Sequence, residues 1–135
     1  HATQPVHRLI EAQVAQRPDA TALIFGEVEL TYAELNQRAN QLAHYLIANG
    51  VGLESKVGIA LERSVEMVVA VLAVLKAGGA YVPLDPEYPQ DRLGYMVEDS
   101  GINKLLTYTT LMYRIPAASS QVIALDALGP QVPAV

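Results

Sequence analysis

LKAGGAYVPLDPEYP, residues 75–89, is where the pattern of the chain changes from helix to strand and back to helix. Gly78 and Gly79 suit the left-handed conformation that ends a helix, since glycine has no Cβ to clash there. Ala80, Tyr81 and Val82 read as a short buried strand. Pro83 removes a backbone donor, so the strand must end there or lie at a sheet edge. Asp85-Pro86 reads as a turn, and Pro89 sits where the first turn of a following helix begins. Helix, strand and helix within so few residues form the joint of a βαβ-type layer.

Working outward on the N-terminal side, residues 65–77 are apolar on nearly every side, which leaves strand and helix hard to separate by pattern. Its valines favour strand. Its length, Ser64 in front as a cap and the two glycines behind decide for a buried helix. Residues 56–61 before it read as a short strand. Residues 31–49 carry the clearest helical pattern, with Leu35, Ala39, Leu42 and Leu46 on one face. Thr31 and Glu34 form a T-x-x-E capping box at its start, and Gly50 follows its last turn. Residues 20–25 and 28–31 read as strands of a hairpin, with Gly26-Glu27 as a glycine-first turn. Residues 5–16 read as a helix stopped by Arg17-Pro18.

On the C-terminal side, residues 89–100 read as a helix with Leu93, Met96 and Val97 inward, ended by Gly101. Residues 103–107 and 121–125 read as strands, and 111–115 as one helical turn between them. Residues 129–135 hold two prolines and no periodicity, and are expected to be extended or frayed. Strands alternating with helices over 56–125 predict an α/β fold, a layered parallel sheet with flanking helices, preceded by the N-terminal hairpin.

Composition narrows the function. The chain has 135 residues, enough for one core, with 51% hydrophobic and 17% charged residues, which argues against disorder. The balance of 9 Lys plus Arg against 14 Asp plus Glu, without a basic run, makes nucleic acid an unsuitable partner. Cysteine is absent, so disulfides and thiolate metal sites are excluded. No signal-peptide pattern is present, and the apolar run over 67–75 is too short for a bilayer, which takes roughly 20 residues. A cytoplasmic location is expected.

Two stretches carry a family resemblance. LKAGGAYVPLDPEYP resembles the second core motif of the adenylation domains of nonribosomal peptide synthetases, and Leu30-Thr31-Tyr32-Ala33-Glu34-Leu35 resembles the first. They stand in the expected order, and the resemblance runs from about His7 to about Leu125. It implies that residues 1–135 are the N-terminal portion of one such domain, an incomplete part of its large subdomain, with 1–18 as linker and first helix. The polar, proline-containing start suits a linker.

Known chemical patterns are absent. The sequence holds no G-x-G-x-x-G, no G-x-x-x-x-G-K-[ST] and no G-x-S-x-G. His1, His7 and His44 are too scattered to suggest a metal site, and His44 reads as a partly exposed structural residue on its helix. Glu62-Arg63-Ser64 follows a strand and opens a helix, a place that attracts anions. The plainer reading, which we favour, makes Ser64 a cap and Glu62 and Arg63 solvated turn charges. Asp85 also follows a strand and is placed to orient a ligand, but Asp-Pro-Glu-Tyr-Pro is first a turn sequence. Tyr81 and Tyr88 read as packing groups. The lysines, Lys56, Lys76 and Lys104, read as solvated charge rather than a phosphate clamp.

The resemblance implies that the parent is an ATP-dependent, AMP-forming amino-acid ligase. It would form aminoacyl-AMP with Mg²⁺ and load the phosphopantetheine thiol of a carrier domain. It also implies that the first two core motifs are structural and that ATP and the amino acid are handled by later sequence. No catalytic, cofactor-binding or metal residue is therefore assigned within the chain, which is expected to be inactive alone. The implied partners are the rest of the adenylation domain, a carrier domain, a condensation domain and the amino acid. Two alternatives stay open at this point: part of an acyl-CoA ligase-type enzyme, and a non-catalytic α/β interaction module.

Overall fold

The computed structural model describes residues 6–117 and 121–128. The predicted tail over 129–135 and the first five residues lie outside them. The chain begins with α1 (Val6–Gln16) and an antiparallel hairpin of β1 (Thr21–Phe25) and β2 (Val28–Thr31). Gly26 opens the hairpin turn with φ +59°, the positive value that a glycine-first turn requires. Then come α2 (Tyr32–Ala48), β3 (Lys56–Ile59), α3 (Val65–Lys76), β4 (Ala80–Pro83), α4 (Gln90–Ser100), β5 (Lys104–Thr107) and β6 (Val122–Ala124). Single 3-10 turns at Met112–Arg114 and Leu125–Ala127 flank β6.

The last four strands form one parallel sheet in the order β4-β3-β5-β6. Alternation along each strand sorts its side chains to two faces. Val57, Ile59, Leu106 and Ile123 join the core shared with α2 and α3. Ala60 and Leu105 join a second core, closed by Leu84, Leu93 of α4, Ile102 and Ile115. Gly58 points into that second core: a Cβ there would sit 3.0 Å from Leu84 Cδ1 and 3.1 Å from Ile102 Cδ1.

Local chemistry sets the helix ends as the sequence predicts. Thr31 Oγ1 accepts from the Glu34 amide at 3.1 Å, and Glu34 Oε1 accepts from the Thr31 amide at 2.9 Å, completing the capping box. Ser64 Oγ accepts from the Met67 amide at 3.2 Å and starts α3. Gly78 follows that helix with φ +90°. Pro89 is the residue before α4 rather than its first helical residue, and Gly101 ends α4 in the left-handed region with φ +66°.

Three expectations are corrected. The strand over 80–82 is not buried. It is the outer strand of the sheet, it includes Pro83, and Tyr81 is 43% exposed. Proline in the strand and the edge position are one fact, because an edge strand needs no donor on its outer side. Tyr81 is therefore not a packing group, whereas Tyr88 packs on the second core with the Arg92 guanidinium 4.1 Å from its ring centre. Lys76 is also not solvated: its side chain is 7% exposed and paired with Glu11 of α1.

Candidate functional site

Parallel strands direct their following loops to one edge of the sheet, and ligands of such sheets collect at that carboxyl edge. Here the loop after β3 runs through Leu61, Glu62 and Arg63 into α3. The loop after β4 runs through Leu84, Asp85, Pro86 and Glu87 towards α4. β3 and β4 are neighbours in the sheet, so the two loops stand side by side.

Together they form a cleft of about 340 Å³. Leu61, Met67, Pro83, Leu84 and Pro86 give it an apolar lining, with Glu62, Arg63, Asp85 and Glu87 at its rim. Both loops are held by their own hydrogen bonds. Ser64 Oγ donates to the Glu62 carbonyl at 3.0 Å, and Asp85 Oδ1 accepts from the Glu87 amide at 2.9 Å in an Asx turn. Glu87 faces Arg114 at 3.4 Å, both side chains being exposed. The positions singled out in sequence as separate candidates, 62–64 and Asp85, are thus brought to one place.

A second hollow of about 470 Å³ lies further along the same edge, after β5 and β6, lined by Glu66, Tyr108, Thr110, Leu125 and Asp126. Burial pushes the Tyr108 phenol up to about 12, and the adjacent Glu66 carboxylate acts in the same direction. Asp126 accepts from the Thr109 hydroxyl at 2.6 Å and from its amide at 2.9 Å, and these bonds hold its carboxyl below the usual range. Sequence reading missed Tyr108 and Asp126; their position just past two strands was the one available signal.

Lys56 and Lys104 stand at the opposite, amino edge of the sheet. His44 is exposed on α2, and it lines a small hollow with His7, Glu11 and Lys76. Among the described residues no group of three His, Asp or Glu side chains is placed to hold a metal, and no helix is long and apolar enough to cross a membrane. Glu62, Asp85 and Glu87 line the cleft together with Arg63, Glu87 being paired with Arg114, and Glu66 and Asp126 line the next hollow.

Comparison with known proteins places this geometry. The family described as AMP-binding enzyme matches residues 10–134. The chain is 60% identical over 121 residues to a linear gramicidin synthase polypeptide of Brevibacillus parabrevis, covering 90% of this chain and 2% of that one. Among solved structures, the N-terminal subdomain of NpsA from Klebsiella oxytoca superposes with a TM-score of 0.82 at 27% identity, covering 92% of this chain and 32% of the subdomain. The AMPPNP-bound nonribosomal peptide synthetase FmoA3 superposes at 0.85 with 30% identity, covering 97% of this chain and 15% of that one. An artificial fusion of NpsA to the carrier ThdA is matched at 0.82 with 27% identity, covering 92% of this chain and 23% of the fusion. The chain therefore spans a small share of each protein it resembles.

Proposed function

The chain belongs to the AMP-binding enzyme family, and from that premise we propose that residues 1–135 are the N-terminal portion of an adenylation domain in a nonribosomal peptide synthetase. The observation that carries this reading is the 60% identity to a linear gramicidin synthase over 90% of the chain. In the parent, an amino-acid carboxylate displaces pyrophosphate from ATP with Mg²⁺, giving aminoacyl-AMP. A phosphopantetheine thiol on a carrier domain then takes the aminoacyl group and releases AMP. A cytoplasmic synthetase with an upstream condensation domain suits this chemistry.

This chain's own residues supply scaffold. Its two signature stretches build a capping box and a helix-to-edge-strand joint, which supports a structural role for them. Adenylation needs charge developing at the α-phosphate to be stabilised by aligned donors, a lysine or a metal. Lys76 is committed to Glu11, and Lys56 and Lys104 stand at the far edge of the sheet.

The test is amino-acid-dependent exchange of pyrophosphate into ATP. The protein extended downstream should exchange with one or a few amino acids, and residues 1–135 alone with none. Robust exchange by the 135 residues would overturn the scaffold assignment. A silent extended protein would overturn the adenylation reading.

A further inference from the structure

We propose that the cleft between the Glu62-Arg63 and Asp85–Glu87 turns is an internal docking socket. Its occupant is an apolar side chain flanked by a lysine or arginine, from the part of the same N-terminal subdomain that lies outside these 135 residues. The proposal rests on the adenylation reading above.

The lining chooses the chemistry. Leu61 and Leu84 are buried at the base, and Met67, Pro83 and Pro86 complete an apolar wall. A hollow of about 340 Å³ with such walls accepts an apolar side chain, and water held there finds few polar partners. The rim adds polarity of one dominant sign. Three carboxylates, Glu62, Asp85 and Glu87, surround it against one guanidinium at Arg63. Of these, Glu87 is shared with Arg114 over 3.4 Å, and Asp85 commits one oxygen to its own turn. A cation entering beside the apolar anchor meets Glu62 and the free oxygen of Asp85.

The socket is also built before anything enters it. Ser64 caps α3 and ties back to Glu62, the Asx turn fixes Asp85, and Pro83 and Pro86 restrict the second loop. Preformed loops spare an occupant the ordering cost that weakens most associations. The occupant's source follows from coverage: this chain superposes on 32% of an isolated N-terminal subdomain, so most of that folded unit packs from outside these residues. An intramolecular partner needs little area, because its effective concentration is high.

Cysteine is absent from the 135 residues, so each reporter is the one thiol within them and is read on its own peptide. Glu62→Cys in the extended adenylation protein should react with a maleimide about tenfold more slowly than Glu98→Cys on the exposed side of α4. Glu87→Cys is a second reporter should the first fail to fold. Labelling is read by peptide mass, without nucleotide or amino acid present. Equal rates at both reporters and the reference would overturn the proposal. Protection that arises only on adding ATP would overturn it in favour of a ligand site. Exchange activity in the same preparation keeps the two readings apart, since a domain that exchanges but leaves the cleft open sinks the socket alone.

Discussion

Lys76 of α3 donates a hydrogen bond from Nζ to Glu11 Oε2 of α1, joining residues 65 positions apart, and its side chain is 7% exposed. A charge so nearly removed from water must be met by a partner, and Glu11 is that partner. Replacing it in Glu11→Gln leaves the ammonium facing a neutral amide, at a cost of about 1–3 kcal/mol. Chemical denaturation of the two proteins measures this directly, and matching midpoints would show the pair to be idle.

The same contact makes stability depend on pH. Burial, ahead of any charge, lowers the His7 pKa from 6.5; Arg8 and Lys76 add to that, and Glu11 opposes it. The hydrogen bond from Lys76 lowers the Glu11 carboxyl from 4.5. For both groups the folded value lies below the unfolded one. Their contributions are therefore complete above the unfolded pKa and disappear as pH falls through the folded value. Stability should decline first below about pH 6.5 and again below about pH 4.5, and Glu11→Gln should flatten the second decline. Denaturation midpoints taken across that range decide the matter.

Gly78, with φ +90°, is the residue that lets α3 stop and β4 start. A valine there must adopt a backbone conformation that branched side chains strongly resist, so Gly78→Val should cost about 1–3 kcal/mol. Space is not the difficulty, since a Cβ would meet nothing closer than 3.7 Å. Gly79 has no positive φ, but its Cβ would lie 3.2 Å from the Ser55 carbonyl oxygen. Melting curves should rank Gly78→Val below wild type, and superimposable curves would remove the backbone argument.

The joint over 75–89 was legible because its punctuation is local: a serine cap, paired glycines and prolines act on the backbone beside them. Thr31 and Glu34 were legible for the same reason. Burial of β4 was misread because Tyr81 and Val82 look alike in a central and an edge strand; Pro83 allowed either a strand end or an edge, and the strand order decides for the edge. Lys76 was misread because its partner lies 65 positions away, beyond any local pattern. The cleft was half legible. Both of its turns were singled out, but their meeting depends on β3 and β4 being neighbours, which is a property of the assembled sheet.

Thr107 is a buried polar residue of the four-stranded sheet, and its hydroxyl donates to the Ala60 carbonyl at 2.8 Å. The bond ties the end of β5 to the loop that leaves β3 for the cleft. Valine has nearly the same shape and cannot donate, so Thr107→Val should lose about 0.5–1.5 kcal/mol. Serine keeps the hydroxyl and should lose less through this bond, while leaving a small void. A valine variant as stable as wild type would show that the Ala60 carbonyl is satisfied without it.

Leu53 is 86% exposed, Tyr113 81% and Ile24 64%, and the hairpin that carries Ile24 is a two-stranded sheet. Two strands alone are marginal, so the hairpin relies on its packing against the body through Ala22, Leu23 and Phe25. Its other side is left with Ile24 outward, opposite Glu29. The chain corresponds to about a third of a matched N-terminal subdomain, so such groups have candidate covering partners in the rest of it. Residues 1–135 expressed by themselves should bind a dye that reports exposed apolar surface, or self-associate as concentration rises. The extended protein should do so less. Ile24→Lys should reduce association of the short form without lowering its melting temperature, because that side chain contributes little to the core. A monodisperse short form that ignores the dye would mean that these residues need no cover, and would weaken the view that they are part of a larger folded unit.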